Sequence, residues 1–119
     1  MMMRIILDTN SILTSVKYKV DLKHELSRLL DCAFRICVLD RTFDELQGKK
    51  DEKIALALLK KWGVGAIKTG GGKNVDQLIL DMENEGIMVV TQDKKLKEKL
   101  KKREIPVIVI RQKRYLQRV

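Results

Sequence analysis

Four carboxylates in this 119-residue chain stand where a fold could bring them together: Asp8, Glu45, Asp76 and Asp93. Asp8 closes the short apolar run Arg4-Ile5-Ile6-Leu7, and Asp93 follows the apolar run Ile87-Met88-Val89-Val90 within three residues. Both runs read as buried strands, and in open parallel sheets chemistry collects beyond the carboxyl ends of the strands. Glu45 lies in the segment after a second strand-like run, and Asp76 in the first turn of a helix that leads to the strand before Asp93. Gathered carboxylates repel one another and hold protons unless something compensates them. A hard divalent cation does so: Mg²⁺ and Mn²⁺ prefer oxygen ligands. Such a site activates water and stabilises charge on a phosphoryl group, which is the chemistry of phosphodiester hydrolysis.

Each acid also has an ordinary explanation. Asp8 and Asp93 can cap the helices that follow them, and Asp76 can be a first-turn partner of the helix dipole, worth ~0.3–1 kcal/mol. Glu45 can be a plain surface residue. The joint pattern is more specific than any member. Asp40, Asp44, Asp81, Glu83 and Glu85 lack such placement and read as solvated surface. Other chemistries have little to build on. His24 is the single histidine, in an exposed helical pattern with no placed nucleophile. Cys32 and Cys37 are too few for a disulfide framework or a zinc site and read as small core residues flanking a strand.

The elements that must position these acids alternate. Strands are expected at Met3–Leu7, Arg35–Leu39, Ala66–Thr69 (weak), Ile87–Val90 and Pro106–Ile110. Helices are expected at Ser11–Val16, Asp21–Leu30, around Phe43–Leu46, at Asp51–Trp62, from Asn74 to Gly86, and at Lys94–Arg103. Asn10 or Ser11 can cap the first, Asp40 or Thr42 the third, and Asn74 the fifth. In the fourth helix Ile54, Leu58 and Leu59 stand at core spacing. Gly70-Gly71-Gly72 reads as a turn and residues 111–119 as a basic tail. This alternation predicts an α/β fold, three layers α/β/α around a central, mostly parallel sheet. At this length residues 1–119 are expected to form one domain.

Charge is unevenly placed. Residues 1–93 hold 14 Lys/Arg against 14 Asp/Glu, whereas residues 94–119 hold 11 Lys/Arg against Glu98 and Glu104. The whole net charge of +9 therefore lies in the last segment, which points to a polyanionic partner, nucleic acid before membrane. No apolar run approaches the ~20 residues needed to span a bilayer. The opening Met-Met-Met-Arg lacks a signal-peptide pattern, so a cytoplasmic protein without membrane contact is expected. No nucleotide cofactor is expected.

Four segments, in order and spacing, resemble the PIN-domain ribonucleases: Leu7-Asp8-Thr9-Asn10, Phe43-Asp44-Glu45-Leu46, Asn74-Val75-Asp76 and Thr91-Gln92-Asp93 with Leu96 following. The resemblance covers nearly the whole chain. The last third, Thr91 to Lys97, Ile105-Pro106-Val107 and the basic residues around Tyr115, resembles the subgroup that cleaves precursor ribosomal RNA in the small-subunit processome, compact archaeal members above all. The resemblance implies that Asp8, Glu45, Asp76 and Asp93 bind Mg²⁺ or Mn²⁺ and carry out endonucleolytic cleavage of RNA, leaving a 3′-hydroxyl. It also implies that Asn10 and Thr91 support the carboxylates through hydrogen bonds. One departure matters: related proteins often carry a second acid beside the third motif, where this chain has Val75 and Gln77. That argues against a full two-metal site and leaves the one-metal core unaffected.

Three functions are weighed. The first is a metal-dependent endoribonuclease of ribosomal RNA maturation, gripping its substrate with Lys94, Lys95, Lys97, Arg111, Lys113, Arg114 and Tyr115. The second is the same chemistry as the toxin of a toxin–antitoxin pair. The third is a non-catalytic RNA-binding module, whose affinity would fall steeply with salt and ignore metal. A phosphatase built on Asp8 is disfavoured, because Thr9-Asn10 lacks the second aspartate two residues on. A homodimer through the apolar helices of the N-terminal half is a further expectation.

Overall fold

The computed structural model describes residues 2–70 and 72–119. Its centre is a six-stranded sheet. The strands are β1 (Met3–Leu7), β2 (Phe34–Leu39), β3 (Gly65–Ile67), β4 (Ile87–Val90), β5 (Val107–Arg111) and β6 (Tyr115–Arg118), in the order β3-β2-β1-β4-β5-β6. The first five run parallel and β6 is antiparallel to β5. The helices are α1 (Thr9–Tyr18), α2 (Leu22–Leu29), α3 (Asp40–Leu46), α4 (Glu52–Lys61), α5 (Val75–Leu80) and α6 (Lys94–Lys102).

Strand alternation sorts the core into two layers. Ile5, Leu7, Ile36, Val38, Met88 and Val90 face the side covered by Ile12 of α1, Leu22 and Leu26 of α2, and Ala55 and Leu59 of α4. Ile6, Cys37, Leu39, Ile87 and Val89 face the other side, covered by Val75, Leu78 and Ile79 of α5 and Leu96 and Leu100 of α6. This is the three-layer α/β/α arrangement that the alternation predicts. The apolar run of β1 is continuous because both its faces are covered. Ile5, Ile6 and Leu7 are fully buried, each worth about 1.5–3 kcal/mol.

The chain winds outward from β1 through β2 to β3, then crosses back to lay β4 on the other side of β1. The switch point of the topology is therefore the crevice between the carboxyl ends of β1 and β4.

Three expectations are corrected. Residues 111–119 are no free tail: β6 returns along β5, with Arg111 opposite Tyr115 and Ile108 opposite Arg118. The outer edge of β6 is held by α2, where the Leu116 N–H donates to Glu25 Oε1 at 2.9 Å and Arg28 Nη2 donates to the Leu116 carbonyl at 2.8 Å. The core stripe of α4 is Ala55, Leu59 and Trp62, while Ile54 is 55% exposed. Ile54, Leu56, Leu58 and Leu59 spread over more than half of the helix circumference, so the apolar pattern alone leaves its rotation open, and the buried Ala55, Leu59 and Trp62 mark the side that faces the core. Cys32 is exposed and only Cys37 lies in the core; the strand begins at Phe34, leaving Cys32 in the preceding turn. Gly71, centre of the expected glycine turn, lies outside the described residues.

Candidate active site

Asp8, Glu45, Asp76 and Asp93 line one cleft of about 380 Å³, together with Thr9, Asn10, Leu13 and Lys49. The cleft stands at the switch point. Asp8 and Asp93 end up there because each leaves a central parallel strand and starts a helix. Asp8 caps α1, its Oδ1 accepting the Ser11 N–H at 2.7 Å, and Asp93 caps α6, its Oδ1 accepting the Leu96 N–H at 2.9 Å. The capping role and the cleft role thus coexist. Among the described residues no backbone N–H is donated to either Oδ2.

Asp8 is 2% exposed. Burial pushes its carboxyl above the ordinary range, against the pull of the neighbouring Thr91 hydroxyl and of Ser11. Asp76, half-buried in the first turn of α5, is also pushed up, first by burial and then by Asp93 and Glu45, with Lys99 opposing. The cleft therefore holds negative charge at a cost, which is the electrostatic condition that favours a cation.

Glu45 does more than expected of it. Its Oε1 accepts the Thr9 hydroxyl at 2.6 Å and its Oε2 accepts the Val75 N–H at 3.1 Å. One carboxylate thus ties α3 to the start of α1 and the start of α5, fixing Asp76 relative to Asp8. Asn10 is exposed and lines the cleft, without a side-chain hydrogen bond to the acids among the described residues. Thr91 is fully buried, and its hydroxyl accepts the Asp93 N–H at 3.0 Å. Gln92, the middle residue of that turn, pairs with β5: its amide donates to the Ile110 carbonyl at 3.0 Å and accepts the Ile110 N–H at 2.6 Å. Asp40, expected as solvated surface, is half-buried and accepts the Thr69 hydroxyl at 2.6 Å, which holds its carboxyl below the usual range.

A model of the PIN like domain matches residues 5–113. The chain belongs to this family. As a PIN-like domain it is 35% identical over 127 aligned residues to "Ribonuclease VapC4" of Methanocaldococcus jannaschii, covering 98% of this chain and 96% of the relative. The structure described as the PIN domain endonuclease Utp24 superposes with a TM-score of 0.83 at 27% identity, over 98% of this chain and 92% of that one.

The carboxylates that line the cleft of this PIN-like domain are hard oxygen donors, the kind a Mg²⁺ or Mn²⁺ ion takes. Among the described residues no three acids close into a single ligand cage. The carboxylates line the cleft with room between them, which suits an ion that keeps several waters. Of the basic residues expected to grip a substrate, Lys95 lies in a groove that shares Asp76 and Asp93 with the cleft. Lys94 is exposed and Lys97 half-buried on α6; Arg111, Lys113 and Arg114 are exposed at the β5–β6 turn, and Tyr115 is half-buried beside them. Sequence reasoning missed Lys99 and Lys49. Lys99 lies in the same groove as Lys95, one helical turn on, so the i, i+4 spacing signals it. Lys49, in the cleft wall, lies three residues past the end of α3, the helix that carries Glu45.

Proposed function

We propose that this PIN-like domain is a divalent-metal-dependent endoribonuclease that hydrolyses RNA phosphodiesters in ribosomal RNA maturation. The observation that carries the reading is the meeting of Asp8, Glu45, Asp76 and Asp93 at the topological switch point. The ribonuclease and endonuclease among its relatives support the reaction class. The resemblance of the last third to the processome subgroup supports the biological role.

Asp8, Asp76 and Asp93 would hold the ion, with Glu45 completing the set while bracing α1 and α5. Bound there, Mg²⁺ or Mn²⁺ supplies a water of lowered pKa and Lewis-acid stabilisation of the phosphoryl oxygens. The Thr91 hydroxyl holds the turn that presents Asp93, and Ser11 keeps Asp8 oriented. Lys49 in the cleft wall and Lys95 and Lys99 beside Asp76 and Asp93 neutralise substrate phosphates on either side of the acids. Grooves leave the cleft past both walls, so an internal phosphodiester can lie across the acids, as endonucleolytic cleavage requires.

Incubation with a structured RNA in Mn²⁺ tests this reading. Cleavage by the wild type, lost on chelation and in Asp8→Asn, supports it; equal cleavage by Asp8→Asn assigns the activity to a contaminant. Growth arrest on expression, relieved by the product of a neighbouring gene, would move the role to that of a toxin. Metal-independent RNA affinity without turnover would leave a binding module.

A further inference from the structure

We propose that the RNA strand lying in the acid cleft is also held along α1, on a second basic arm formed by Lys17, Lys50 and Lys113. The proposal rests on the nuclease reading for the identity of the polyanion and on its own geometry for the site. A groove shares Asn10, Leu13 and Lys49 with the acid cleft and runs on to Lys17 and Lys50. Asn10, Thr14 and Lys17 recur at helical spacing and so form one face of α1. From Asn10 to Lys17 that face rises about 10 Å, enough to carry phosphates beyond the scissile one.

The arm is built and not merely charged. The Lys17 ammonium lies 5.3 Å from the centre of the Tyr18 ring, and the Lys113 ammonium reaches the same ring at 5.0 Å. Cations over an aromatic face are held by its negative quadrupole. The Tyr18 hydroxyl feels them: the neighbouring Lys17 ammonium first, and then Lys113, draw its pKa below the ordinary value. Lys113 arrives from the β5–β6 turn, where Gln112 and Lys113 take the left-handed conformation at φ 50° and 57°. That conformation is unfavourable for residues with a Cβ, so the hairpin holds Lys113 there against a local preference. The turn is anchored to the acids through β5, which Gln92 clamps next to Asp93.

The charge of the arm is not spent internally. Among the described residues the ion pairs are Arg28–Glu25, Arg41–Asp44 and Lys73–Asp81, and none involves Lys17, Lys50 or Lys113. Among the described residues, Asp51 is the one carboxylate lining this groove. Lysines of α1 and the α3–α4 turn thus line one groove, and Lys113 of the terminal hairpin meets Lys17 at the Tyr18 ring, an arrangement that fits a phosphate backbone. Contacts of this kind read the backbone and leave the bases free, so the arm makes binding tighter without making it sequence-specific.

Fluorescence anisotropy in EDTA, where cleavage is off, tests the arm with a labelled unstructured RNA of roughly 12 nucleotides, within the span of a single-strand groove. The double variant Lys17→Ala/Lys50→Ala should bind at least about 5-fold more weakly at about 50 mM salt, and its log–log salt slope should flatten by about 1.4, for two lost phosphate contacts. Lys17→Arg/Lys50→Arg should bind like the wild type. Lys23→Ala/Lys60→Ala removes equal charge from exposed positions on α2 and α4 and should change affinity by less than about 2-fold. Wild-type affinity in Lys17→Ala/Lys50→Ala overturns the proposal, as does an equal loss in the Lys23/Lys60 control or no binding by the wild type. Cleavage by the wild type in Mn²⁺ is scored separately. Turnover without the affinity loss removes the arm and leaves the nuclease, and the affinity loss without turnover does the reverse.

Discussion

Replacing Glu45 by alanine separates a carboxylate that braces the fold from one that only holds a metal. Glu45 accepts two hydrogen bonds, from the Thr9 hydroxyl at 2.6 Å and the Val75 N–H at 3.1 Å. Bonds to a charged acceptor are worth about 1.5–3 kcal/mol each. The site is only half-buried, and removing Glu45 also relieves repulsion that raises the Asp76 pKa, so the net loss is smaller than their sum. A metal-free Glu45→Ala protein should therefore be about 2 kcal/mol less stable, lowering Tm by about 6–12 °C at this chain length. Glu45→Gln should recover most of that, since the amide oxygen can accept from Val75 and the amide N–H can donate to Thr9. Thermal unfolding in EDTA is the assay. An alanine variant within about 2 °C of the wild type would refute the bracing argument; so would a glutamine variant as unstable as the alanine one. Loss of cleavage in Glu45→Gln at recovered stability would show that the charge serves the reaction as well.

Three other outcomes follow from the same geometry. Asp8→Asn should abolish cleavage yet raise Tm in EDTA at neutral pH, because asparagine keeps the cap on Ser11 without the buried charge. The sign follows from linkage: a folded-state pKa above that of a free aspartate means the native protein holds the extra proton, so stability falls as pH rises through that window. The Tm gap between Asp8→Asn and wild type should be near zero in acid and widen toward neutral pH; a gap that shrinks with rising pH would contradict it. Arg28→Ala should remove the donor to the Leu116 carbonyl and weaken the grip of α2 on the edge strand. Hydrogen exchange at β6 should then quicken, and unchanged protection would count against the clamp. Asp40→Ala should release Thr69 and lower the midpoint of urea unfolding, and an unchanged midpoint would count against the tie.

The parts of this account that were legible in the sequence are those governed by local pattern. β1 and β4 are short continuous apolar runs ending near acids, and strand period together with the α/β alternation places those ends at one sheet edge. Asn74 announces the start of α5 by its type alone, and the side chain does accept the Gln77 N–H. What was not legible depends on tertiary placement. Nothing near Glu45 in the chain says that Thr9 and Val75 will reach it. Gln92 reads as filler until β5 lies beside it. The terminal hairpin escaped because its turn uses Gln112 and Lys113 in the left-handed region, where glycine or asparagine would have marked it. The rotation of α4 escaped for the opposite reason: too many apolar residues fit, and Trp62 decides among them.

The central claim is that the acids at the β1–β4 switch point form one cation site. A Mn²⁺-soaked crystal examined by anomalous scattering tests it most directly. The account predicts one strong peak in the cleft with oxygen ligands at about 2.0–2.2 Å, supplied by the carboxylates of Asp8, Asp76 and Asp93 or by ordered waters hydrogen-bonded to them. A saturating soak that leaves the cleft empty, or places the ion away from Asp8, would contradict it.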